Sequence, residues 1–166
     1  SLSVDQNLAG GAALSTEGGT GVGIAVAINI VNSIETTASI GNDTSITATG
    51  SVNITAHTTF LPLLEDIPVI GEVGVTSFAA GVAASTEGSA IGGSSSVNVI
   101  FIDTTASVGT DTTINGDAGV TVKAEDELTV FSGAGGLGVS ISGDAGVGIG
   151  LDVNVINRDT YATIGA

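Results

Sequence analysis

Residues 104–114 read TTASVGTDTTI, residues 36–46 read TTASIGNDTSI, and residues 160–165 read TYATIG. The matches extend outward from these cores. STEG occurs at Ser15–Gly18 and again at Ser85–Gly88. VNVIFID at Val97–Asp103 is answered by VNVINRD at Val153–Asp159, and SVNITA at Ser51–Ala56 by GVTVKA at Gly119–Ala124. Thr36 to Thr104 is 68 residues and Thr104 to Thr160 is 56. The difference of 12 falls on the one stretch without a counterpart, Leu61–Gly74 (LPLLEDIPVIGEVG). Both prolines, Pro62 and Pro68, lie there, as expected of a segment outside a hydrogen-bonded ladder. The chain therefore reads as one elongated repeat domain: repeat 1 over about 7–59, an insertion at 61–74, repeat 2 over about 75–129 and a partial repeat 3 over about 130–166. It reads as a fragment of a longer chain.

Each repeat is patterned for strands. Val52, Ile54 and Ala56 alternate with Asn53 and Thr55, and Val120, Val122 and Ala124 with Thr121 and Lys123; period two is the strand signature. β-Branched residues suit a pleated sheet, and frequent glycine disfavours helices. Turn-like residues bound the strands at Gly41–Asp43, Gly109–Asp111 and Gly116–Gly119. The expected fold class is all-β. A unit of about 56 residues cannot bury its own apolar face, but stacked copies can. The reading is a parallel β-solenoid (β-helix), with three coils of roughly 18–20 residues filling each unit and small inward residues (Ala, Gly, Val) giving a thin core. The alternative is an antiparallel β-sandwich or set of hairpins, with STEG as a tight turn between strands Phe78–Ala84 and Ser89–Ile102.

Composition excludes several functions. The 166 residues carry 17 acidic groups against two cations, Lys123 and Arg158, for a net charge of -15. Such a chain repels nucleic-acid phosphates and anionic lipid heads. It has no cysteine, hence no disulfide or thiolate metal site. The longest small apolar run, Gly21–Val31, is too short for a membrane-spanning helix. Aromatics make up 3% of residues, too few for the girdles of an outer-membrane barrel.

The series of a Gly/Ala-rich strand, VNV, D/E-T-x-A-x-I/V-G, D-T-x-I and G/S-V-x-V-x-A resembles the repeats of very large bacterial filamentous adhesins, the haemagglutinin-like and leukotoxin-like surface proteins. The resemblance covers about 7–59 and 75–166. It implies a β-solenoid stalk on a secreted or surface-anchored, extracellular protein, acting in attachment or biofilm formation. It carries no catalytic residues over to this chain, and the insertion departs from it.

Acidic residues recur at matching positions: Glu35, Asp103 and Asp159; Asp43 and Asp111; Glu17 and Glu87. Stacked carboxylates repel, and Ca²⁺ with its preference for oxygen ligands would relieve that at Glu35, Asp103, Asp159, Asp43 or Asp111; turn aspartates bonding nearby amides are the simpler account. The main expectation is a non-enzymatic structural module whose partners are neighbouring repeats of the same chain, and beyond them surface glycans or other surfaces. A carbohydrate- or calcium-binding module is the alternative, and a polysaccharide-active enzyme using paired carboxylates a further one. Against catalysis, the acids follow the repeat, whereas a site is usually unique, and aromatic platforms for sugars are missing. Gly133–Gly138 matches GxGxxG but is followed by strand-like sequence rather than the helix a dinucleotide site needs. His57 reads as an exposed residue with Glu125 as counterpart, and Glu125–Glu127 as a solvated turn. The threonines at 44, 47 and 49 and at 110, 112 and 113 read as ordinary outward residues, and the apolar insertion as packing on a flank.

Overall fold

The computed structural model describes residues 7–60, 74–142 and 145–165. Ten strands form in chain order: β1 (Asn7–Ser15), β2 (Gly21–Ile40), β3 (Ser45–Ala48), β4 (Val52–Thr59), β5 (Val75–Ser85), β6 (Ala90–Val108), β7 (Thr113–Gly116), β8 (Val120–Glu127), β9 (Val130–Ser140) and β10 (Gly146–Ile164). They build four sheets, ordered β1-β5-β9, β2-β6-β10, β3-β7 and β4-β8. Every strand pair among the described residues is parallel. The protein is all-β, and each strand takes its hydrogen bonds from the equivalent strand of the next repeat. Thr36, Thr104 and Thr160 are register partners.

Two expectations are corrected here. Repeats 1 and 2 each give one strand to all four sheets, and partial repeat 3 gives one to two of them, so a repeat is a single layer of four strands, not three coils of 18–20 residues. The reason lies in β2, β6 and β10, which run for 20, 19 and 19 residues without a corner. The antiparallel alternative also fails. STEG does turn the chain between β5 and β6, but the two strands lie in different sheets, face to face. Ser85 Oγ holds that turn, accepting from the Gly88 amide at 2.9 Å and donating to the Gly19 carbonyl at 3.0 Å.

The insertion's extent follows from register. Thr59 pairs with Glu127, an offset of 68, and Val75 with Val130, an offset of 55, so repeat 1 holds 13 extra residues between them. Residues 61–73 lie outside the described residues. One further residue is taken up in β2, where a bulge between Val31 and Ile34 places Ser33 at φ 59°.

The layer has a thick half and a thin half. In the thick half, β4 and β8 pack on the C-terminal parts of the long strands around Ile54, Ala56, Ala106 and Val108. A second cluster, Phe60, Val75, Ile100 and Ile102, fills the middle. In the thin half, β1, β5 and β9 face the N-terminal parts of β2, β6 and β10; the buried apolar cluster there is Ala25, Ala27 and Ala79, joined by buried Ala83, Ala90, Ser77, Ser94 and Ser96. A Cβ on Gly11 would lie 2.0 Å from the Ile24 carbonyl oxygen, and one on Gly23 2.1 Å from that of Val82. Backbone rests on backbone, well inside the ~10 Å usual between packed sheets. The large residues of this half face out: Val22, Ile24, Val26, Ile28 and Ile30 are all exposed. Valine was expected inward, and here it is not, because only Gly, Ala, Ser and Asn fit between sheets this close.

Candidate functional site

The acidic positions lie where the long strands leave the apolar zone. Past Phe101 the outward residues of the sheet turn polar, and Glu35, Asp103 and Asp159 stand in register on β2, β6 and β10. Neighbouring strands are ~4.8 Å apart, so one carboxylate stands above the next. Each end member accepts from a hydroxyl two residues on, Glu35 from Thr37 at 3.5 Å and Asp159 from Tyr161 at 3.4 Å.

Asp43 and Asp111 occupy the following turn. Both adopt positive φ, 55° and 53°, which aspartate tolerates better than most residues. The Asp43 amide donates to the Thr110 carbonyl at 3.0 Å, the Thr110 amide to Asn42 Oδ1 at 3.0 Å, and Thr112 Oγ1 to the Gly41 carbonyl at 2.9 Å. Successive turns are thus stitched together, with Asn42 as the polar bridge. The structure brings Glu35, Asp103 and Asp159 into one row and Asp43 with Asp111 into a second. Among the described residues no three His, Cys, Asp or Glu side chains converge on a point where a metal ion would sit.

The row therefore acts as stacked like charges, which destabilise a sheet when directly opposite. Asp103 has a carboxylate on either side, so Asp103→Asn is expected to stabilise the fold by roughly 0.5 kcal/mol in dilute buffer. The gain should vanish as salt rises toward about 1 M, where screening acts over about 3 Å; urea melts at low and high salt check it.

The run Glu125–Glu127 is corrected: it closes β8 rather than forming a solvated turn. His57 and Glu125 are register partners. The exposed His57 ring shares a hydrogen bond of 2.8 Å with Thr59 Oγ1. Lys123 hydrogen-bonds Glu125, and this bond, with the charges of Lys123 and His57, holds the Glu125 carboxyl below the usual range. A depressed carboxyl supports the fold near neutral pH and loses that support on acidification.

Asp126, between them, turns inward, its side chain only 1% exposed. It stands in the register position of Thr58, whose hydroxyl bonds Thr36 at 2.8 Å and Thr104 at 2.7 Å. Arg158 occupies the position of Ile34 and Ile102 and reaches from β10 to β8. Its Nε donates to Asp126 Oδ2 at 2.6 Å, and its terminal nitrogen to the Asp126 carbonyl at 2.6 Å. Sequence reasoning missed this pair. The signal was an Arg at an isoleucine position and an Asp at a threonine position of the same repeat.

Arg158→Ile alone strands a carboxylate and should cost about 2 kcal/mol, below the range for fully buried pairs because Arg158 is 40% exposed. Arg158→Ile with Asp126→Thr restores the residues of the other repeats and should match or exceed wild-type stability; chemical denaturation of the two variants separates the outcomes.

Gly133–Gly138 lies in the middle of β9, within a sheet rather than before a helix. Compared with known protein families, characterised proteins and solved structures, the chain gives no match.

Proposed function

We infer that this chain is a length of parallel β-solenoid serving as a non-enzymatic stalk module of a bacterial surface adhesin. The observation that carries the reading is that every strand pairs, parallel and in register, with its equivalent one repeat away. Such a structure grows by repetition: each circuit needs only its two neighbours, and each copy adds one layer to every sheet. The acidic rows and turns keep the stalk soluble. Acidic residues that recur with the repeat, and a departure at Arg158 and Asp126 that closes on itself as an ion pair, support a mechanical role rather than catalysis.

Inserting further copies of residues 75–129 after Thr129 tests the architecture. Each copy should lengthen the particle by about 4.8 Å at constant cross-section in small-angle scattering; a compact globule of growing cross-section overturns the stalk. Displaying the chain on a bacterium stripped of its own adhesins tests attachment. Retention under flow on glass or glycan-coated surfaces no better than the empty display scaffold overturns the adhesin reading and leaves the stalk standing. The carboxylate row favours calcium as a second reading. A specific site would raise the melting temperature more with Ca²⁺ than with Mg²⁺ at equal ionic strength, whereas equal shifts mean screening alone.

A further inference from the structure

The thin half of the layer leaves its largest side chains uncovered. On the outer face of the β2-β6-β10 sheet, the outward positions from Val22 to Ile30 are all Val or Ile, and those from Val147 to Val155 all Val, Ile or Leu. The β6 positions between them carry Ile91, Gly93, Ser95, Val97 and Val99, so the whole area holds no charged side chain in a molecule of net charge -15. The side chains on the two flanking strands are 37–68% exposed. Together they present on the order of 1,000 Å² of apolar surface, beyond the largest patch of a typical monomer and about what each partner gives to a stable interface. Parallel sheets are ordinarily covered on both faces.

The face also has relief. Gly93 and Ser95 form the floor of a groove of about 370 Å³, walled by Ile24 and Val26 on one side and Ile149 and Leu151 on the other. The opposite outer face, broken by Gly10, Ala12, Gly133 and Gly135, has no such continuous wall.

We propose that this face binds a second copy of the chain, face to face, with the strands of the two copies running in opposite directions. Charge fixes the direction. Glu35, Asp103 and Asp159 lie on the same face at the far end of the strands. Copies aligned in the same direction would set six carboxylates against one another. Opposed copies overlap only their apolar halves and send the acidic halves outward on opposite sides. The twofold axis then runs along the stack near Ser95, and the interface is isologous. The inference needs only the observed sheet and stands apart from the adhesin reading.

The chain has no cysteine, so single spin labels at Ser95→Cys and Thr105→Cys report the geometry. Opposed pairing puts the two Ser95 labels close together. The two Thr105 labels should lie about 66 Å apart, twice the ten-residue run at ~3.3 Å per residue. Pairing in the same direction or end to end gives short distances at both positions and overturns the proposal. By sedimentation the wild type should be a dimer, and Val26→Lys with Leu151→Lys a monomer with an unchanged circular dichroism spectrum. A monomeric wild type at near-millimolar concentration, or a dimer indifferent to the two lysines, overturns it as well.

Discussion

Gly81→Ala is expected to cost at least about 3 kcal/mol, and Gly81→Val to leave the chain unfolded, whereas Gly10→Ala should melt at the wild-type temperature or above. The contrast comes from which way the two glycines face. A Cβ on Gly81 would stand 2.0 Å from the Gly93 carbonyl oxygen and 2.8 Å from that of Gly23. Both obstacles are backbone atoms fixed in the β2-β6-β10 sheet, so no side chain can swing aside. The sheets must separate or the ladder must break. Separation spreads along the whole thin half, because its buried side chains are too small to fill the gap, and the lost contacts add to the clash. With a total stability of 5–15 kcal/mol usual for a domain, a valine there is enough to unfold it. Gly10 lies on β1 with nothing within 4 Å of its missing Cβ, and alanine lowers the entropy of the unfolded chain. Urea denaturation of the three variants checks this. Wild-type stability in Gly81→Ala would mean that the sheets do not lie this close.

The same glycines explain what could be read from the sequence. The recurrence of TTASVG in TTASIG and TYATIG carries the parallel register directly, since identical residues one repeat apart become neighbours: Thr36, Thr104 and Thr160. Period two marks the strands but does not say which parity faces in. Hydrophobicity alone would put Ile24 and Ile28 inside, yet they face out, because Gly21, Gly23, Ala25 and Ala27 share the other parity and let the backbones meet. Glycine parity was the usable signal. The length of the long strands was hidden for a related reason: a strand of 19 or 20 residues with glycines in it looks as though it should break, and it does not. The acidic rows were legible because they repeat. Their failure to converge was not, since parallel register sets carboxylates side by side across the sheet rather than around a point. Asp126 was obscured by its company: between Glu125 and Glu127 it reads as solvated, and only its register with Thr58 reveals the inward face.

Asn98 is the second position where a large loss is expected, and here pH separates the causes. VNV at Val97–Val99 and at Val153–Val155, and INI at Ile28–Ile30, place an asparagine at one repeat position. The three form an internal row: Asn29 Nδ2 donates to Asn98 Oδ1 at 3.1 Å, and Asn98 Nδ2 to Asn154 Oδ1 at 2.8 Å. Asn98 is completely buried, between the small-residue interior and the cluster around Ile100. Asn98→Leu keeps the approximate volume but removes both bonds and leaves Asn29 with only the Thr76 carbonyl, which it reaches at 3.1 Å. Two lost bonds plus one under-satisfied buried amide come to about 3 kcal/mol, independent of pH. Asn98→Asp keeps the shape and, while protonated, can still donate along the row, so near pH 4 it should be the milder change. Burial, and Asp152 hydrogen-bonded to Asn154 at 3.0 Å, push the new carboxyl's folded pKa above its unfolded value near 3.9. A raised pKa means that stability is kept at low pH and lost as pH rises, by about 1.4 kcal/mol per unit until the folded pKa is reached. Asn98→Asp should therefore fall below Asn98→Leu as pH climbs from 4 to 7, and denaturation midpoints of both variants across that range would show the crossing. Parallel pH profiles would mean that the row is hydrated rather than sealed between the sheets.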